Sequence, residues 1–133
     1  MQGFVLNRYG GAEATGLQEV PCPVPGSGDV LVRVHAAGLN PVDFKTRDGM
    51  LKVVQGYDFP VVMGNELAGT VEGIGEGVTD FKPGDRVFAR VPKSRMGAFA
   101  DYAAVPASHI ALLPASIDFE TGAGVPLAGL TAL

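Results

Sequence analysis

A chain of 133 residues is one domain, large enough to bury a modest core without disulfide or metal staples, and 47% apolar residues with a mean hydropathy of +0.24 exclude a disordered polymer. The net charge of −4 is spread without runs, which leaves no basic stripe for a nucleic-acid backbone and no polybasic membrane patch, and no window approaches the roughly 20 apolar residues that a bilayer crossing needs. The lone cysteine, Cys22, cannot form an internal disulfide, and no charged-then-apolar leader precedes the first strand, so the expected compartment is the cytoplasm.

Nineteen glycines and ten prolines, without a triplet repeat, fit tight turns between short strands better than long helices. Residues 3–9 predict a first strand with Phe4 and Leu6 on one face, stopped by Gly10-Gly11, and a second short strand carries Leu17 and Val20. Residues 21–29, rich in proline, cannot supply a ladder of N–H donors and read as an extended connector. Val30, Val32, Val34 and Ala36 alternate with Leu31, Arg33 and His35, the period of a half-buried strand. At Asn40-Pro41 the period changes. Asparagine caps helices well and proline is tolerated at the first helical position, so a short helix is expected over Pro41 to Asp48, ending on Gly49. Residues 50–59 show no clean period and read as a loop.

The stretch from Pro60 to Ala89 organises the rest. Its apolar positions fall mostly two apart around Gly69, Gly73 and Gly75, which suggests a sharply coiled strand, a tight turn at Gly75 to Gly77, and a second strand after Lys82-Pro83-Gly84-Asp85. Pro83-Gly84 carries the residues of a type II turn. Two further strands are expected over Ala98 to Val105 and Ile110 to Leu113, then a helix for which Asp118 is a plausible cap. The apolar segment from Gly122 to Leu133 begins a helix after Pro126 and stops without a capping residue, so a continuing natural chain is expected.

Three motifs in fixed order, Gly38-Leu39-Asn40-Pro41-Val42-Asp43-Phe44-Lys45, Met63-Gly64-Asn65-Glu66 and Met96-Gly97-Ala98-Phe99-Ala100-Asp101-Tyr102, resemble the N-terminal GroES-like catalytic domain of the medium-chain dehydrogenase/reductase superfamily over nearly the whole chain. Within it, the first two look most like zinc-free quinone oxidoreductases and NADPH-dependent alkenal and enone reductases. The resemblance implies a mainly β fold with short helices, a GroES-like, partly open β-barrel spanning residues 1–133 and ending in the start of the helix that leads to a missing Rossmann cofactor-binding domain. Gly73-Ile74-Gly75-Glu76-Gly77 does not replace that domain, because Val78 stands where the third glycine of the dinucleotide fingerprint would be required.

A tetrahedral zinc site needs three or four converging Cys, His or carboxylate ligands. Cys22, His35 and His109 lie far apart on separate segments. Where the resembling zinc enzymes carry cysteine, histidine and cysteine ligands, this chain has Asn40, Asn65 and about Leu127; their proton-relaying hydroxyl is Val42, and Val91 to Met96 is too short for a structural zinc lobe. No metal is expected. Asn40 has two readings, a helix cap and, as the resemblance implies, a contact to the nicotinamide end of the cofactor. Lys45 and Thr131 match family positions near cofactor and substrate. Asp43 and Glu66 follow the lost ligand positions and read as structural hydrogen-bonding residues, and Tyr57 could donate a proton or anchor the loop before the central strand. Neither His35 nor His109 has the neighbours of a nucleophilic triad.

The expected function is that of the catalytic-domain fragment of an NADPH-dependent reductase passing hydride to a quinone or an α,β-unsaturated carbonyl, with NADH not excluded and a homodimer as one assembly open to the full-length protein. The fragment alone is expected to be inactive. The alternative is a non-enzymatic GroES-like interaction or scaffold module, which the lack of a convincing acid, base or metal ligand set would suit. A zinc-dependent alcohol dehydrogenase is the remote alternative, and a co-chaperonin lacks a recognisable mobile loop.

Overall fold

The computed structural model describes residues 1–49 and 59–125. Its strands are β1 (Gln2–Leu6), β2 (Thr15–Glu19), β3 (Asp29–Ala37), β4 (Val61–Val62), β5 (Glu66–Ile74), β6 (Arg86–Arg90), β7 (Tyr102–Pro106) and β8 (Ile110–Leu112), with two short helices, α1 (Pro41–Arg47) and α2 (Phe119–Ala123). They form two antiparallel sheets, ordered β2-β1-β4 and β7-β3-β5-β6-β8. This is the mainly β fold that the glycine-rich composition predicts and the partly open barrel that the resemblance implies.

The alternation in β3 does what its period implies. Val30 and Val32 are fully buried and pack with Leu67, Val71, Val87, Ala89 and Val105 into the main core, while Arg33 and His35 are exposed. The β3–β5 register shifts twice, between Leu31 and Val32 and between Val34 and Ala36. Gly69 lies beside the second shift, and a Cβ there would overlap the carbonyl oxygen of Arg33. A Cβ at Gly75 would likewise overlap that of Gly26, so these two glycines permit the close backbone approach that coils the sheet. Gly73 has open space and plays no such part. The Pro83-Gly84 turn forms as expected, with Gly84 at φ +94° and the Asp85 N–H donating to the Lys82 carbonyl at 3.1 Å.

Several expectations need adjusting. Strand β1 stops at Leu6, and Val5 is as buried as Leu6, so the strand is covered on both faces rather than one. Leu17 on β2 is 74% exposed, because β2 is the outer strand of the small sheet. The strand expected from Ala98 begins only at Tyr102; the residues before it stitch the two sheets together, Phe99 donating to the Met63 carbonyl and accepting from the Phe4 N–H. Asp118 does cap α2, its carboxylate accepting from the Thr121 N–H at 2.7 Å. The expected loop over 50–59 lies almost wholly outside the described residues, as does the helix after Pro126.

Candidate active site

Helix α1 starts where the sequence places it. Asn40 occupies the cap position with extended backbone (φ −135°, ψ 156°), Pro41 follows, and Gly49 at φ +81° ends the segment. Asn40 and Asp43 face each other as a capping box, with Asp43 accepting from the Asn40 N–H at 2.8 Å; the Asp43 N–H, toward which the Asn40 side chain is turned, also bonds to the Asn40 main-chain carbonyl at 2.9 Å.

The Asn40 amide also reaches across to the start of β5, its Nδ2 donating to Glu66 Oε1 at 2.7 Å. Asn65, one residue earlier, donates its own Nδ2 to Asp43 Oδ1 at 2.7 Å. Asp43, Asn65 and Glu66 are each no more than 3% exposed and Asn40 is half-buried, so the four side chains from the β3–α1 turn and the head of β5 bond one another at a largely dry junction. Two carboxylates thus face two amide donors. Burial pushes the Asp43 carboxyl above its usual 3.8; the Asn40 N–H and the Asn65 amide pull it part of the way back, and the neighbouring Glu66 charge adds to the rise.

Two glycines make room for this arrangement. A Cβ on Gly38 would overlap Oε1, Cδ and Cγ of Glu66, so that side chain lies in space only glycine leaves open. Gly64, at φ +106°, lies so close to Phe99 that a side chain there would strike its ring and backbone nitrogen. Gly38 was not singled out from the sequence, because the side chain that fills its space, Glu66, lies far along the chain where local spacing does not report it.

Of the sequence-predicted site residues, Asn40 sits in this network and Lys45 is exposed on the last turn of α1. Tyr57 and Thr131 lie outside the described residues. Of the three positions that replace metal ligands in the resembling zinc enzymes, Asn40 and Asn65 both bond the Asp43 carboxylate, whereas Leu127 lies outside the described residues. Among the described residues no three His, Cys, Asp or Glu side chains are grouped so that they could hold a metal ion. His35 is exposed and stacks on Phe119, centroids 4.2 Å apart, and Cys22 is exposed and free.

Residues 26–115 match the alcohol dehydrogenase GroES-like domain. The chain belongs to that family. It is therefore a GroES-like domain of the medium-chain dehydrogenase/reductase superfamily, as its three motifs imply. The domain is 37% identical over 134 residues to a chloroplastic quinone-oxidoreductase, QR1, of Triphysaria versicolor, covering 99% of this chain and 40% of the relative. It is 39% identical over 139 residues to a chloroplastic NADPH-dependent alkenal/one oxidoreductase of Arabidopsis thaliana, covering 99% of this chain and 36% of the relative. The crystal structure of Escherichia coli quinone oxidoreductase complexed with NADPH superposes with a TM-score of 0.88 at 31% identity, over 98% of this chain and 39% of that one. The GroES-like domain thus spans about two fifths of the length of these relatives. No helix among its described residues is long and apolar enough to cross a membrane.

Proposed function

We propose that this chain is the catalytic-domain part of an NADPH-dependent, zinc-independent oxidoreductase that passes hydride to a quinone or to the β-carbon of an α,β-unsaturated carbonyl, and that a dinucleotide-binding domain continues from its last helix. The observation that carries this reading is the buried Asn40–Glu66 and Asn65–Asp43 pairing, at the two positions where the resembling zinc enzymes hold thiolate and imidazole. An amide there cannot take up the metal's role, but it can orient a neutral polar ligand. That ligand fits a nicotinamide carboxamide, which offers both donors and an acceptor to a half-buried asparagine. The relatives named as quinone and NADPH-dependent alkenal/one oxidoreductases support the same class.

The bound nicotinamide would supply the hydride. The chain's own residues would hold and screen: Asn40 fixes the carboxamide end, and Lys45, exposed on α1, lends positive charge toward the dinucleotide. Thr131 and Tyr57 keep their proposed roles, the first against the nicotinamide and the second as a proton donor to the acceptor. The single exposed thiol suits a reducing compartment such as the cytoplasm.

The test is NADPH consumption by the full-length protein with a quinone and with an enone, each with and without a chelator. Turnover with either acceptor, indifferent to chelator, is the expected result. About one tightly held zinc per chain, or turnover abolished by chelation, would overturn the metal-independent reading. Absence of NADPH binding would overturn the reductase reading as a whole.

A further inference from the structure

We infer that Glu66 is a positioning residue: entering the space left at Gly38, its carboxylate turns the Asn40 amide so that Nδ2 faces inward and Oδ1 is the atom presented to the nicotinamide carboxamide N–H. The inference rests on the NADPH reading above and adds to it a residue and a hydrogen-bond polarity.

A carboxylate oxygen only accepts, so the Asn40 atom 2.7 Å from Glu66 Oε1 must be the nitrogen. The amide is planar, so fixing its nitrogen fixes its oxygen as well. The helix cap does not exhaust that oxygen: an amide oxygen accepts twice, and the Asp43 N–H it faces in the capping box is shared with the Asn40 main-chain carbonyl. Asn40 is meanwhile held by its backbone, whose N–H donates to Asp43, and Asp43 is held by Asn65. Backbone and side chain of Asn40 are therefore fixed by two separate buried carboxylates. Glu66 is 2% exposed and reaches Asn40 only because Gly38 carries no Cβ. The rotation that would offer Nδ2 to the ligand instead would leave Oδ1 facing the Glu66 oxygen, acceptor against acceptor.

The polarity is read by comparing two cofactors. The 3-acetylpyridine analogue of NADPH replaces the carboxamide NH2 by a methyl group, so it keeps the carbonyl and loses the N–H that Oδ1 would accept. With the full-length protein, calorimetric dissociation constants should favour NADPH over the analogue by about fivefold to tenfold, the scale of one hydrogen bond. Glu66→Leu, which removes the acceptor, should bring that ratio within about twofold, and Asn40→Ala should do the same. The Asn40→Ala/Glu66→Leu double variant should lower it no further. Glu66→Gln should retain the ratio, since its amide oxygen can still accept from Nδ2. Where Glu66→Leu fails to fold, Gly38→Ala displaces the carboxylate from the other side and should lower the ratio in the same way.

A residue that only supports the fold would weaken both cofactors equally and leave the ratio unchanged. That outcome, or a wild-type protein that binds both cofactors alike, overturns the inference while leaving the NADPH reading intact. Failure of the wild-type protein to bind NADPH overturns both.

Discussion

Asp43 shows how a single carboxylate can be both expensive and necessary. It is 3% exposed, and burial is the largest influence on its carboxyl, raising it above 3.8 despite two donors aimed at it. A group that binds its proton more tightly folded than unfolded stabilises the fold most when protonated. Its contribution is greatest below 3.8 and declines as pH rises through that value toward the folded one. Glu13 and Asp118 run the other way, held low chiefly by backbone N–H groups, so their contributions are lost as pH falls. Comparing the wild-type protein with Asp43→Asn cancels those two and isolates Asp43. At pH 7 the variant should be about 1–3 kcal/mol less stable in urea, because an amide cannot accept from both Asn40 and Asn65 without turning its NH2 toward one of them. The gap should widen between pH 7 and pH 4. A gap that narrows on acidification would show that Asp43 is held low in the folded protein.

At the scale of elements, what could be read from the sequence divides by how local its cause is. Strand β3, helix α1 and the Lys82–Asp85 turn follow from patterns of two to nine residues, the valine alternation, Asn40-Pro41 with Gly49, and Pro83-Gly84, and each forms at or near the expected residues. The segment Ala98–Asp101 did not follow its pattern, because its bonding partners, Phe4, Met63 and Gly64, lie far away in sequence and alternation cannot report them. The candidate site divides in the same way. Asn40 was legible as a cap and by family resemblance, but the turn of its amide toward Glu66 depends on a gap at Gly38 that no local pattern encodes. Gly69 gives a prediction at this level. Its missing side chain lets β5 pass the Arg33 carbonyl beside a register shift, so Gly69→Ala forces the two central strands apart or out of register. Loss of soluble, cooperatively unfolding protein is expected, whereas Gly73→Ala, with open space around it, should shift stability by no more than about 1 kcal/mol. Thermal melts of the two variants provide the check, and equal behaviour would show that the close approach at Gly69 is not what sets the register.

Across the whole molecule, the two sheets have to be joined before the site exists, since α1 follows β3 of the large sheet while the chain around it leans on the small one, the Gly10 N–H donating to the Arg47 carbonyl. Phe99 is the joint. Its ring packs against both the main core and the smaller cluster of Leu6, Ala14 and Met63, and it meets Phe4 edge-on with centroids 6.4 Å apart. Its backbone bonds to Phe4 and Met63, and Gly64 leaves the space in which the ring lies. Truncating the ring keeps the backbone bonds but empties the seam, at a cost of about 2–4 kcal/mol for a half-buried phenylalanine shared by two clusters. The loss should fall unevenly. Among the described residues the large sheet keeps a ten-residue buried cluster, whereas the cluster beside the three-stranded sheet has three buried residues and depends on the seam. In Phe99→Ala, amide hydrogen exchange should therefore quicken in β1 and β4 well before it changes in β3 and β5. Uniform acceleration in both sheets would mean that they unfold as one unit and that Phe99 is simply one core residue among many.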